Sequence, residues 1–390
     1  MKSENKCCFL CDIEIDHHND SQEHVIPRAI GGRLTVSGFI CRSCNSHSGE
    51  KWDSALAAQL NPLSLLLRIQ RQGGNVPAQN FKTTTGQEIK LHHDGNMSLP
   101  FPQIKRAEEN GIATIHVSAS SHKVVRQAIK GIRRKENLNI NLDESLIAIT
   151  DRWETLEDPI TMSLDFGGPD AGRSIVKTAL SFAAKNGVPA SACHLAIQYL
   201  NDPQAEACFG YYYDSDLISG RPDDKIFHCV ALDGSPDTGL LIAYIEFFSA
   251  RRMVVTLSDS YAGSPVHNIY AIDPVSSQKL DLKFHISLSR ADIGAIYAYK
   301  KIPPNSMEDA FSFALSVAKR NEFNRKRDDA INDGITHAMK KLRLGEDDQL
   351  KVDQIPLFTE YVWEKLGPFL RRHMPAHNQN IFLRDHMSGQ

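Results

Sequence analysis

Hydrophobic positions along the chain change period several times, and each change predicts an element. "LNPLSLLLRIQRQGG" (Leu60 to Gly74) has helical character and is expected to stop at the glycine pair. A polar, turn-rich stretch follows to about residue 100. Alternation in "GIATIHVSAS" predicts a strand ending near Ser121. In "SHKVVRQAIKGIRRK" the period becomes helical, with Val125, Ala128, Ile129 and Ile132 on one stripe. "ITMSLDFGGPDAGRSIVKTALSFAAKNG" reads as strand, glycine turn and helix. Short β-rich runs then alternate with turns, two of them pairing around "DGSPDTG". From Ser306 to about His373 the pattern is helical again.

Composition adds bounds. The 390 residues are 41% hydrophobic and 23% charged, which suits a globular chain of two or three domains. A formal net charge of −3 does not announce a nucleic-acid binder, although a local basic face matters more than the sum. Lys123, Arg126, Lys130, Arg133 and Arg134 form such a face opposite the stripe of the 121–135 helix, suited to tracking phosphates or simply to facing solvent. Arg325, Lys326 and Arg327 form a second basic cluster. Tyr211, Tyr212, Tyr213, Phe247 and Phe248 offer stacking surfaces but read better as core. No apolar run reaches membrane-spanning length, and the N-terminus lacks a signal-peptide core, so a reducing cytoplasm is expected.

The cysteines are unevenly spent. Five of the eight lie in the first 44 residues, whereas Cys193, Cys208 and Cys229 sit in apolar surroundings as buried thiols. Cys8-x-x-Cys11 and Cys41-x-x-Cys44 offer four thiolates suited to a closed tetrahedral Zn²⁺ site, with Cys7 as a spare one residue away. A segment of about 50 residues has little core, and a metal supplies folding energy. Gly167 to Ser174 nearly spells a phosphate-binding loop, but Arg173 stands where lysine belongs. A glycine-rich helix start packed on a sheet is the preferred reading there.

Between the cysteine pairs stand "EHVIP" and a Gly-Gly turn, and Asn45 directly follows Cys44. In that order these features resemble the four-cysteine zinc branch of the HNH endonuclease superfamily, the branch that includes endonuclease VII-like resolvases, over about residues 7–55. The resemblance implies a ββα-metal fold, with "EHVIP" as first strand, "GGRLTVSG" as loop, "FIC" as return strand and a helix from Ser46. It implies His24 as general base, and Glu23 and Asn45 as ligands of Mg²⁺ or Mn²⁺, with His47 or Asp53 as a further ligand. Glu23 stands where many relatives have aspartate, and the asparagine that often pins the loop is missing from "TVSG".

The expected fold class is α+β: a small zinc-stapled ββα-metal domain (1–58), a helical and turn-rich connector (59–100), a mixed accessory domain with a helical C-terminal part (101–375) and a loose tail (376–390). The expected function is metal-dependent hydrolysis of DNA, with DNA as partner, no membrane, and a homodimer as one assembly open to it. Two alternatives stand beside this: a zinc-ribbon nucleic-acid binder without catalysis, and an antiphage HNH effector whose C-terminal domain senses a nucleotide or other signal.

Overall fold

The computed structural model describes residues 7–109, 112–135, 149–151, 156, 158–345 and 347–373. The tail expected at 376–390 lies outside the described residues. The chain is α+β and divides into two compact units, Met1–Ala314 and Leu315–Gln390. That division falls inside a long helix rather than near residues 58 or 100.

The first unit opens with an antiparallel pair, β1 (Glu23–His24) and β2 (Thr35–Val36), in the register Glu23↔Val36 and His24↔Thr35. Next come α1 (Arg42–Ser48), a π-helical turn (Gly49–Asp53) and α2 (Ser54–Leu67). Strands β3 (Gln79–Thr83), β4 (Glu88–Leu91) and β5 (Met97–Ser98) follow. Then come the hairpin β6 (Gln103–Glu109) and β7 (Ile112–Ser118), and α3 (His122–Lys135). Strand β8 (Ile160–Thr161) completes a four-stranded sheet ordered β5-β4-β3-β8.

The core lies further on. Helices α4 (Pro169–Lys185) and α5 (His194–Asn201) precede β9 (Phe209–Tyr211), β10 (Ile218–Ser219), β11 (His228–Ser235), β12 (Leu240–Phe247), β13 (Arg251–Ser258), β14 (Val266–Ile272), β15 (Lys279–Leu280), β16 (Lys283–Phe284) and α6 (Arg290–Tyr297). An antiparallel six-stranded sheet runs β15-β14-β11-β12-β13-β9, and β10 pairs with β16 apart from it. The β11–β12 hairpin closes around "DGSPDTG" with Ser235 opposite Leu240, as its sequence predicts. All eight residues of β12 are buried because both faces of the sheet are covered. On one face Ile242 and Tyr244 pack with Phe227, Ile293 and Ile296. The other face takes α4.

Helix α4 is the central element of this unit. Every residue from Ala171 to Ala183 is buried, between the sheet on one side and β1, β2, the π turn and α2 on the other. Its start is a glycine turn, with Gly167 and Gly168 at φ 125 and 82 and Gly168 as N-cap. Gln59 fastens that turn to α2 by donating to the Gly167 carbonyl at 2.6 Å, and buried Arg251 donates to Gln59 Oε1 at 3.1 Å. Arg173 packs over the Tyr199 ring, a structural use of the residue that breaks the phosphate-loop pattern. Tyr212, Tyr213, Phe247 and Phe248 are core residues.

Helix α7 (Ser306–Leu342) crosses the division between units, and α8 (Ile355–His373) belongs to the second. Within the second unit Phe323 packs against Phe369, and His337 pairs with Glu364 at 2.6 Å. Arg325 and Lys326 pair with Glu322, and Arg327 with Asp328, so this basic cluster is largely neutralised by its own helix.

Candidate active site

The two cysteine pairs converge. The sulfurs of Cys8, Cys11, Cys41 and Cys44 all lie within 4.8 Å of one another, and those of Cys11 and Cys41 are 3.8 Å apart. A tetrahedral zinc with Zn–S near 2.3 Å sets its sulfurs about 3.8 Å apart, so the donors present fit that ion. Backbone turns set the spacing: Asp12 N–H donates to the Cys8 carbonyl, and Asn45 N–H to the Cys41 carbonyl. Cys7, whose backbone bridges to Glu14, is exposed and is not one of the four.

The hairpin beside this cluster departs from the expected boundaries. Its return strand is Thr35–Val36, not Phe39–Cys41, because Gly38 turns the chain at φ 68 and sends Phe39 and Ile40 into the core beneath the cysteines. The Phe39 carbonyl accepts from Phe9 N–H, and the two rings meet edge to face at 5.0 Å. Helix α1 begins at Arg42 rather than Ser46, with Cys41 as N-cap, so Cys44 and Asn45 are already helical. Asp20 holds the loop that lacks the usual asparagine, its Oδ1 accepting from Gly38 N–H at 2.8 Å. The Gly-Gly turn has a steric cause. Gly31 is left-handed at φ 99, and a Cβ on Gly32 would stand 1.8 Å from the Ile26 carbonyl oxygen.

Glu23 and His24 are neighbours on β1 and face different surroundings. His24 is half-buried, and its Nε2 lies 3.1 Å from Gln72 Oε1. The amide oxygen accepts, so Nε2 carries the hydrogen and Nδ1 keeps a lone pair. Burial pushes the His24 pKa below its ordinary value; Gln72 opposes this and the charge of Arg28 adds to it. Asn45 reaches back toward the same strand, its Nδ2 donating to the Gln22 carbonyl at 3.4 Å, a bond that uses the amide nitrogen and not its oxygen. His47 is exposed, its ring 6.5 Å from that of Trp52.

Glu23 is only 4% exposed and meets a residue from far along the chain. The Nζ of Lys177, on α4, lies 2.7 Å from Glu23 Oε1 and 2.6 Å from Asp53 Oδ2. It also donates to Ser48 Oγ at 3.2 Å, while Ser174 Oγ donates to Asp53 Oδ1 at 2.6 Å. Burial pushes the Glu23 carboxyl up, and the Lys177 ammonium opposes that. Burial works to discharge Lys177, but Asp53 and Glu23 outweigh it and keep the ammonium charged. Lys177, Gln72, Arg28 and Ser174 were not singled out by sequence reasoning. The signal for two of them is a polar stripe, Ser174, Lys177, Thr178 and Ser181, at helical spacing within an apolar helix.

The basic face of α3 is present: Lys123, Arg126, Lys130, Arg133 and Arg134 are all exposed. His122, Lys123, Arg126, Gln127 and Lys130 line an open depression there.

Residues 8–61 match the family model for HNH endonucleases, and the chain therefore carries an HNH endonuclease domain. No curated protein and no solved structure gives a significant match to the chain. Among the described residues, no helix is long and apolar enough to cross a membrane.

Proposed function

We propose that the protein is a metal-dependent endonuclease that hydrolyses DNA phosphodiester bonds in the cytoplasm, with residues 1–58 as its catalytic segment. The observation that carries this reading is the pairing, on one two-residue strand, of a neutral half-buried imidazole with a carboxylate, beside a four-thiolate cluster. A pure zinc-ribbon binder has no need of that combination.

His24 is the general base. With Nε2 held by Gln72, its Nδ1 lone pair accepts the proton of the attacking water. Arg28, whose charge is felt at His24 and at Arg71, brings positive potential toward an approaching phosphate. Glu23 and the Asn45 amide oxygen are oxygen donors of the kind that hold Mg²⁺ or Mn²⁺. Such an ion, when bound, neutralises charge on the phosphate and the departing 3′ oxygen. Zinc in the cysteine cluster is structural, since four thiolates leave it no open position. The face of α3 grips the DNA backbone without reading bases.

The test is incubation of the purified protein with supercoiled and linear DNA, with and without Mg²⁺ or Mn²⁺. Cutting that requires the ion, and falls by about 10²–10⁴ in His24→Ala, is the expected outcome. A His24→Ala protein that cuts as fast as the parent would overturn the mechanism. Nicking against double-strand cutting then begins to separate a monomer from a homodimer working on both strands.

A further inference from the structure

We propose that Lys177 is a positioning residue of the nuclease site: it holds Glu23 in place and takes Asp53 as its own anchor. The assignment rests on the nuclease reading above and goes beyond it, because it places part of the site on α4, more than 150 residues from Glu23 in sequence.

The geometry shows a built socket. Lys177 and Glu23 are both buried, and Asp53 is nearly so. The ammonium donates to Ser48 and Asp53, and Glu23 faces it as a close ion pair. Oε1 of Glu23 has no hydrogen-bond partner of good angle, so the charge of Lys177 at 2.7 Å is what holds that oxygen. Asp53 sits in the π-helical turn, a helix irregularity that often marks a functional site, and Ser174 fixes its second oxygen. Both Asp53 oxygens are thus engaged by α4, Oδ2 by Lys177 and Oδ1 by Ser174. Stability alone does not account for the socket, since apolar side chains of similar volume are commonly as stabilising as a buried ion cluster. Glu23 is also the residue beside the base. Partners that hold a metal-binding carboxylate are commonly worth 10–100-fold in metal affinity.

The experiment separates position from charge. With Glu23 ionised, Glu23, Asp53 and Lys177 together carry one net negative charge, and so does the double variant Lys177→Met/Asp53→Asn. Burial pushes the Glu23 pKa up to about 7, so the titration is repeated in both proteins as the pH rises above that value. Mn²⁺ binding to the full-length protein is followed without DNA, by the electron paramagnetic resonance signal of free Mn²⁺. Zinc content and thermal melting accompany each titration. The expected result is about 10–100-fold weaker Mn²⁺ binding by the double variant with zinc retained. Affinity equal to or tighter than the parent's would overturn the proposal, because the lysine would then be a mere charge or a competitor for the ion. The double variant leaves only Glu23 without its cation, where Lys177→Met alone would strand two carboxylates, so it is the variant on which the titration decides. If the parent binds Mn²⁺ yet cuts no DNA, the nuclease reading fails while the titration still judges Lys177. If the parent cuts and the double variant binds Mn²⁺ normally, only the assignment of Lys177 fails.

Discussion

Lowering the pH should weaken the seam between the β1–β2 hairpin and the large sheet, through His228. This ring is fully buried at the start of β11. Its Nδ1 accepts from Phe248 N–H at 3.0 Å, which leaves the hydrogen on Nε2, and Nε2 donates to the Ile30 carbonyl at 2.8 Å. Ile30 belongs to the short turn between β1 and β2, so the ring fastens the sheet to the loop of the nuclease module. Burial pushes the His228 pKa down to about 4, against weaker opposition from the Ile30 bond and Asp273. In the unfolded chain the ring titrates near 6.5. The unfolded state therefore takes the proton first, and this contribution to stability is complete above about pH 6.5 and lost as pH falls toward 4. A gap of roughly 2.5 units corresponds to about 3.4 kcal/mol in full, of which about 2 kcal/mol is gone at pH 5. Urea denaturation followed by circular dichroism at pH 7.5 and 5.0 measures this, with His228→Gln as the non-titrating comparison. The parent should lose about 2 kcal/mol more than the variant between the two pH values. Equal losses in parent and variant would refute the reasoning, since other carboxylates titrate alike in both.

Three further outcomes are expected. Metal analysis should find about one zinc per chain, and Cys41→Ser should lose it and destabilise the N-terminal module while the helices of the second unit stay folded by circular dichroism. Replacing Arg126, Lys130 and Arg134 together with alanine should weaken DNA binding on all sequences and lower the salt slope by roughly 3, about one per lost phosphate contact; an unchanged slope would return that face to plain solvation. Gly32→Ala should cost about 1–3 kcal/mol or more in urea denaturation, because its Cβ meets the Ile26 carbonyl, whereas Gly49→Ala, with open space around it, should cost little.

What was legible in the sequence was local. Both cysteine pairs, Glu23, His24 and Asn45 lie within about 40 residues, at spacings that backbone turns and one short helix enforce, so order along the chain implies proximity in space. Boundaries within that segment were less legible, because they depend on single backbone angles. Gly38 moved the return strand. Helix α2 ends at Leu67 rather than at Gly73, since its C-cap Arg68 takes the left-handed conformation and the Ile69 amide bonds back to the Ser64 carbonyl. Lys177 was out of reach for another reason. A lysine within "RSIVKTAL" looks like the polar edge of a surface helix until the sheet and the nuclease module close over both sides of α4.

That burial bears on how the N-terminal module can exist at all. Its hairpin has two residues per strand, and so short a ribbon has no independent stability in water. Zinc in the four-cysteine cluster would hold one end, through Cys41 at the start of α1, but thiolate ligation does nothing for the buried Glu23 carboxyl at the other. There the opposing charge comes from α4, and the turn between the strands is fastened by His228 from the sheet and by Arg33, which donates to Ser277 at 2.8 Å. The separation of an HNH module from its accessory portion is therefore a division of sequence more than of structure. A fragment ending near residue 58 would retain the four cysteines, Glu23, His24 and Asn45, and would lack the cation that faces Glu23. Its acidic socket would be left open to water, so on the nuclease reading proposed above the site is complete only when α4 is docked.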